Sequence, residues 1–486
     1  MPLDHQMSPG GKVTKHLPQA GRAPATRPAY RAVVTTALLW FRRDLRLADH
    51  PALLAAATAA DEVVPIFVLD DALRGPSGAP RLAVLYRCLR ELEERTGRTL
   101  RILTGDPIEV LPRIVRDSGA SSVHISSDHA PYGRRRDEGV AASLAAIDVP
   151  LVATGSPYGV TPGQLVKGDG SPYQVYTPYY RAWTARGLHS PARQPRNISW
   201  SQGGLDTEGI PADPELGDVQ LPPVGELAAR ARWTEFLGEQ VATYHERRNL
   251  PGVDGTSRLS VHLKYGCLHP RTLLAGLPTG EGGEAFRREI VFRDFYADVL
   301  WQRPSSARRE LQVPMAGLDY DTGAQADQRF DDWAYGRTGY PIVDAGMRQL
   351  LGEAWMHNRV RMIVGSFLTK DLHLHWRRGA RWFMQHLRDG DLASNQQGWQ
   401  WVAGTGTDPS PYFRVFNPVK QGHDYDPAGD YIRRWVPELR EVAGKAVHEP
   451  WTLPGGPPAG YPAPIVDHPV ERAETLRRYA ELRDRR

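Results

Sequence analysis

Residues 35–69, TTALLWFRRDLRLADHPALLAAATAADEVVPIFVL, decide the fold. Two short apolar runs, TTALLWF and EVVPIFVL, flank an alanine- and leucine-rich segment, the pattern of a strand–helix–strand unit. The cycle then recurs. RLAVLYRCLRELEERTG (81–97) carries apolar residues at helical spacing, TLRILTG (99–105) reads as a strand and DPIEVLPRIVRDSG (106–119) as a helix. SSVHIS (121–126) is the next strand, and RRRDEGVAASLAAI (134–147) leads into VPLVAT (149–154). Strands alternating with helices predict an α/β domain over 37–155 with a doubly wound, Rossmann-like parallel sheet. Neither G-x-G-x-x-G nor a Walker loop follows the first strand, so the usual dinucleotide fingerprint is absent.

The remainder divides by composition. Residues 1–36 hold Pro, Gly and basic residues without an apolar h-region and read as a disordered arm rather than a signal peptide. Residues 156–225 are rich in Pro, Gly and Ser and read as a connector over the surface, where Trp183 and Trp200 pack it down. From 226 to 486 helical patterns dominate, predicting an all-α domain. A chain of 486 residues exceeds one ordinary core, which agrees with two domains. Apolar content of 41% and charge of 24% are those of a globular protein, and no apolar run reaches the length of a membrane span. The net charge of +4 does not by itself announce nucleic acid. Cys88 and Cys267, far apart and in different predicted domains, read as buried thiols of a reducing cytoplasm. Ten of the 13 tryptophans lie from Trp233 onward, which places planar-ligand chemistry in the helical domain.

Residues 390–418, GDLASNQQGWQWVAGTGTDPSPYFRVFNP, concentrate that chemistry: an acidic turn, Asn395, two tryptophans two apart and Arg414 among aromatics. On a helix Trp399 and Trp401 diverge by about 200°, so one lines a cavity while the other backs into the protein. Packing in the core is the ordinary fate of such rings. In GTSRLS (255–260), hydroxyls and free amides at a turn into a helix suit a phosphate, or simply cap that helix. FRREIVFRDFY (286–296) sets Glu289, Phe292 and Arg293 on one helix face, fit for a polar heterocycle or for an ordinary salt-bridged surface. In MHNRVRM (356–362), Asn358, Arg361 and Met362 share a face, with Arg359 about 160° away from Arg361. A buried Arg361 needs a carboxylate, and Asp389 and Asp391 are the candidates. Seven basic residues between Arg359 and Arg388, against Asp371 alone, form a local positive rim of the kind a base-flipping DNA enzyme presents. Phe67, Asp70, Arg81 and Asp106 fall at or just after strand carboxyl ends, where doubly wound sheets bind ligands, although each also suits a cap. Zinc spacing, a P-loop and HExxH are absent.

These motifs resemble those of the DNA photolyase/cryptochrome family over most of the chain, most nearly the enzymes that split cyclobutane pyrimidine dimers. The resemblance implies FAD in the helical domain. Tyr244 and Thr256, Ser257, Arg258, Leu259 and Ser260 would grip its pyrophosphate. Arg361 and Asp389 would pair beside the flavin, with Asp391 at its pyrimidine edge and Asn395 nearest N5. Glu289 and Asn358 would meet the flipped dimer and Trp401 would stack on it, beside Met362, Arg293 and Phe292, where the family usually has tryptophan. Arg248 and Arg414 would contact DNA phosphates, and Arg359, turned away from Arg361 by helix geometry, faces solvent or a polyanion such as DNA. Trp399 and Trp376 match the first two members of an electron relay whose third would fall near Gly323, with Tyr320 and Tyr335 as nearby substitutes. Phe67, Asp70, Arg81 and Asp106 would hold an antenna of the 8-hydroxy-5-deazaflavin type, with folate, FMN or no antenna as alternatives.

The two-histidine signature of enzymes acting on (6-4) photoproducts is missing, since Asn358 and Met362 stand at those places. The implied activity is light-driven repair of UV-damaged DNA by a cytoplasmic monomer with neither membrane nor obligate protein partner. The rival is a blue-light photoreceptor on the same fold, against which the short segment after WVPEL (435–439) speaks.

Overall fold

The computed structural model describes residues 34–195, 197–407 and 414–485. The arm expected over 1–36 lies, up to residue 33, outside the described residues. Five parallel strands, β1 (Thr36–Phe41), β2 (Glu62–Leu69), β3 (Arg101–Thr104), β4 (Ser122–Ile125) and β5 (Leu151–Ala153), stand in the order β3-β2-β1-β4-β5. Register runs from Thr36↔Glu62 to Phe41↔Phe67 on one side of β1 and from Ala37↔Ser122 to Leu39↔His124 on the other. Residues from Ala37 to Phe41 are all buried, the reason β1 reads as a continuous apolar run instead of an alternating one. Between the strands run α1 (Pro51–Ala59), α2 (Asp71–Arg74), α3 (Ala79–Arg95), α4 (Pro107–Ser118) and α5 (Pro131–Ala145).

The connector contains one helix that composition hid, α6 (Tyr176–Arg186). It buries Tyr179 and Trp183, while Trp200 forms a parallel bridge to Val63 at the start of β2. The helical region follows as α7 (Glu226–Glu239), α8 (Tyr244–Arg247), α9 (Ser260–Lys264), α10 (Pro270–Ala275), α11 (Glu281–Gln302), α12 (Ala324–Ala334) and α13 (Pro341–Glu353). Next come α14 (Asn358–Ser366), α15 (Trp376–His386), α16 (Leu392–Ala403), α17 (Pro418–Tyr425), α18 (Asp430–Trp435) and α19 (His468–Asp484).

Sheet and helices are not separate bodies. Residues 35–486 form one compact unit, and Phe41, Val84 and Leu89 share a core with Trp233, Phe236 and Phe286. The cysteines show this most directly. Remote in sequence, Cys88 and Cys267 meet in that core as free thiols with their sulfurs 3.7 Å apart. Separation along the chain says nothing about contact once two layers pack. Gly266 makes the approach possible. Its φ is +68°, and a Cβ there would lie 1.9 Å from the Arg43 carbonyl oxygen.

Asp294 on α11 anchors the connector, accepting from the amides of Gly159 and Val160 and from Trp183 Nε1. Burial pushes its carboxyl from 3.8 to about 6, against the pull of Arg293 and these donors. A raised acid binds its proton longer in the folded than in the unfolded state. Its contribution to stability is therefore fully present at the acid end and declines as pH rises through that window. Asp294→Asn should gain stability relative to the parent between pH 4 and pH 6, read from urea midpoints, and a flat difference would remove Asp294 as the cause.

Candidate active site

A cavity of about 510 Å³ opens among α8, α9, α11, α14 and α16. Its wall brings together Tyr244, Arg248, Thr256, Ser257, Arg258, Leu259, Ser260, Glu289, Phe292, Arg293, Asn358, Arg359, Arg361, Met362, Asp389, Asp391, Asn395, Trp399 and Trp401. These come from five separate stretches of sequence. The size is ordinary for a cofactor site.

At one end lies the 256–260 turn. Arg232 on α7 donates to the carbonyls of Thr256 and Ser257, turning the acceptors of this loop toward itself. Arg258 is held at φ +51°, a conformation that costs a non-glycine residue about 1 kcal/mol or more, with its guanidinium over the Trp355 ring at 4.7 Å. The helix that follows, α9, has only five residues, so local amides and hydroxyls rather than a long helix dipole would meet a phosphate. Asp389 ties this turn to α14. Its carboxylate accepts from Arg361 Nη2 at 2.9 and 3.2 Å. Although burial pushes the Asp389 carboxyl up, Arg361 and the Ser260 hydroxyl hold it below the usual range, so it is ionised.

Asp391 caps α16 through the Ser394 amide and forms a 2.6 Å pair with Arg43, from the segment just after β1. Burial opposes its charge, yet Arg43 and Lys264 hold its pKa down. Lys264 also lines the cavity, and burial together with the Arg43 charge brings its ammonium down to about 7. Sequence reading missed Arg232, Arg43 and Lys264. The RRD following β1, at the point where strand order reverses, was the available signal for Arg43.

Asn395 has its orientation fixed by a chain of bonds. Gln396 Nε2 donates to the Ala307 carbonyl at 2.6 Å, which leaves Gln396 Oε1 to accept from Asn395 Nδ2 at 2.9 Å. The second proton of that amide goes to the Ala380 carbonyl at 3.0 Å. Both donors of Asn395 are spent, so what remains free at the cavity is its carbonyl oxygen, an acceptor. Trp399 lies behind it, seated over Gly379, where a Cβ would come within 2.1 Å of the indole. Its Nε1 is buried on the cavity wall and has no hydrogen-bond partner among the described residues. An acceptor, an open indole N–H, an ion pair and a hydroxyl-rich turn suit a flavin dinucleotide.

The outer wall is less open than its sequence implied. Glu289 and Arg248 pair with each other at 2.6 Å. Arg293 donates to the carbonyls of Pro157 and Leu263 and lies over Tyr158, so it braces the connector. Phe292 is backed by Tyr176 of α6, stacked at 3.5 Å and 7°, which makes the smaller ring part of a double layer. Arg359 bonds Asn249 and covers Tyr425 at 4.3 Å. Trp401 is half-buried on the wall, while Asn358 at the start of α14 is exposed. The positive rim is also thinner than counted: Lys370 and Arg388 are buried, Arg361 is paired inside, and Arg378 binds Asp327.

Other expected residues lie elsewhere. Trp376 begins α15, its Nε1 donating to Glu310. Arg414 is exposed near Phe416, and its neighbours Tyr412 and Phe413 lie outside the described residues. Asp70 caps α2 and accepts from Tyr132, and Asp106 caps α4. Phe67 packs into the core shared with the helices, and Arg81 is buried, donating to the Pro76 carbonyl.

Comparison with known proteins places this geometry. Residues 37–196 match the family model for DNA photolyase, and residues 286–481 match that for the FAD binding domain of DNA photolyase. The chain is 41% identical to the deoxyribodipyrimidine photo-lyase of Streptomyces griseus, over 90% of this chain and 98% of that one. Among solved structures, a bacterial class III photolyase from Agrobacterium tumefaciens superposes with a TM-score of 0.88 at 34% identity, covering 94% of this chain and 99% of that one. An archaeal photolyase from Sulfolobus tokodaii with two FAD molecules gives a TM-score of 0.80 at 27% identity, covering 92% and 100%. A parallel sheet docked on a helical FAD-binding domain defines a flavoprotein of two layers. The chain belongs to the DNA photolyase family.

The Asn395 network yields a prediction. Gln396→Leu should leave flavin content near normal but free the Asn395 amide to turn. Reduced flavin should then reoxidise in air about tenfold faster, equivalent to one hydrogen bond of about 1–1.5 kcal/mol. Unchanged reoxidation, followed at the flavin absorbance, would show that Gln396 does not orient the amide.

Proposed function

We propose that this protein repairs cyclobutane pyrimidine dimers in UV-damaged DNA, using light. The observation that carries the reading is one cavity whose inner wall offers an acceptor, an ion pair and hydroxyls while its outer wall offers Trp401, Met362 and the Phe292–Tyr176 stack. FAD, bound in reduced form and excited by light, supplies the electron that splits the dimer. The protein's share is positioning and solvation.

Thr256 and Ser257 offer hydroxyls to the pyrophosphate, Ser260, whose hydroxyl is held by Asp389, offers its backbone amide, and Tyr244 closes that end. The Arg361–Asp389 pair presents a polar edge to the ring system, with Asp391 fixed by Arg43 at its side. Asn395 Oδ1 would accept a hydrogen bond from the N5–H of a reduced ring, whereas a carboxylate there would repel the ring's negative charge. Trp401 stacks on the extruded bases, with Glu289 and Asn358 placed to hydrogen-bond their edges and Arg248 to meet a backbone phosphate. Arg359 and Arg414 add positive charge outside. Extrusion costs a few kcal/mol, least at a damaged step, and stacking of roughly 1–3 kcal/mol per base offsets much of it. Asn358 and Met362, in place of two histidines, favour the cyclobutane over the (6-4) lesion. An enzyme of this kind works as a monomer on cytoplasmic DNA.

Loss of dimers from an irradiated oligonucleotide, with and without visible light, tests this function, and dimers that persist under light would refute it. Within it, Trp401→Ala should weaken binding to dimer-containing DNA by about 1–3 kcal/mol while flavin content stays normal. Equal affinity of variant and parent would remove Trp401 from the stacking role.

A second chromophore of the 8-hydroxy-5-deazaflavin type suits the carboxyl ends of β2 and β3, where Asp70, Asp106 and Tyr132 gather. Reconstitution with deazaflavin and, separately, with folate should show energy transfer to FAD from the deazaflavin. Transfer from folate alone would refute the assignment.

A further inference from the structure

Trp399 forms the cavity wall on one side and helical core on the other. Its ring meets Trp333 edge to face at 6.1 Å and Phe383 at 5.0 Å, and Phe383 lies parallel to Trp333 at 6.3 Å. From Trp333 the rings continue through Phe330 at 5.6 Å to Trp382 at 6.0 Å, and then to Tyr335 at 5.6 Å. Trp333 is fully buried, whereas Tyr335 is 48% exposed. Core packing accounts for Trp333 alone. It does not account for an indole and a phenol continuing the file out to water.

We infer that this file is an electron path, with Trp333 and Trp382 as relays and Tyr335 as the terminal donor when light reduces the bound flavin. The inference rests on the reading of the cavity as a flavin site. Tunnelling falls steeply with distance, so contacts between oxidisable rings favour hopping over one long jump. On excitation one electron would pass from the Trp399 indole to the flavin, and the hole left behind would move to Trp333, cross to Trp382 past Phe330, whose ring bridges the two indoles without itself being oxidised, and go on to Tyr335. Trp333 Nε1 donates to the Val364 carbonyl at 3.0 Å in a dry environment. A carbonyl is too weak a base to take that proton, so the oxidised indole stays a cation and passes the hole on. At Tyr335 the loss of one electron is accompanied by loss of the phenolic proton to water, which traps the hole as a neutral tyrosyl radical. A soluble thiol then returns one electron and one proton to Tyr335.

The competing branch runs through Trp376, His375 and Tyr320, whose rings meet at 5.9 and 4.5 Å. It ends on a hydroxyl that is buried and has no hydrogen-bond partner among the described residues. Oxidation of Tyr320 would leave its proton nowhere to go, so that branch does not trap the hole.

The test uses the full FAD-loaded chain under blue light with a thiol, read by time-resolved electron paramagnetic resonance and by flavin absorbance. The parent should show a tyrosyl signal that Tyr335→Phe abolishes and Tyr320→Phe leaves in place. Trp382→Phe should lose it as well, and Trp333→Phe should lose it if flavin content shows that the variant is folded. Repair by chemically reduced Tyr335→Phe enzyme should match the parent. A tyrosyl signal that survives Tyr335→Phe, or disappears in Tyr320→Phe, overturns the path while leaving the flavin site intact. A chain that takes up no flavin overturns both.

Discussion

Two carboxylates separated by a single glycine, Asp389 and Asp391, are kept ionised in a nearly dry interior by arginines drawn from different layers of the protein. Charge removed from water costs several kcal/mol per ion unless it is paired and hydrogen-bonded. Arg361 on α14 answers Asp389, and Arg43, just beyond β1, answers Asp391. Because neither acid tolerates a misplaced partner, the two pairs set where α16 lies against α14 and where the helical layer lies against the sheet. The cavity is the space left between elements registered in this way.

The arrangement also explains what became of the crevice at the end of the sheet. In doubly wound folds a ligand binds where strand order reverses. Here that place, between β1 and β4, is filled by the protein's own charges: Arg42 binds the Ser126 carbonyl and Asp137, Arg136 binds Asp128, and Arg43 reaches Asp391. The lack of a glycine-rich loop after β1 follows from this, since the position serves docking and not a phosphate. Tight backbone approach completes the joint, with Gly266 against Arg43 and the Leu45 amide donating to the Tyr265 carbonyl.

Around the cavity, polar groups are held by second partners that leave one function each. Asn395 keeps only an acceptor, because the Ala380 carbonyl and Gln396 Oε1 use its two donors, and Gln396 is itself fixed by the Ala307 carbonyl. Asp389 is committed to Arg361 and Ser260 and presents a fixed charge. Preorganised groups of this kind need no rearrangement when charge develops beside them. The aromatic side is equally determined: Gly379 admits Trp399, and Tyr176 supports Phe292.

The alternation of strands and helices over residues 35–154 determined the sheet, because periods of 2 and 3.6 are local properties that survive without tertiary context. Most of the cavity wall was legible too, since the 256–260 turn, Glu289, Arg361, Asp389 and Asn395 sit in short motifs whose residue types announce their chemistry. Tertiary structure alone decided the partners. Nothing in the sequence said that Arg43 would reach Asp391, that Glu289 would be engaged by Arg248, that Tyr176 would stack on Phe292, or that Cys88 and Cys267 would touch. Those contacts cross between layers, and their formation depends on how two surfaces of complementary shape and charge come to rest. Local pattern says which face a residue occupies. Only packing says what lies opposite.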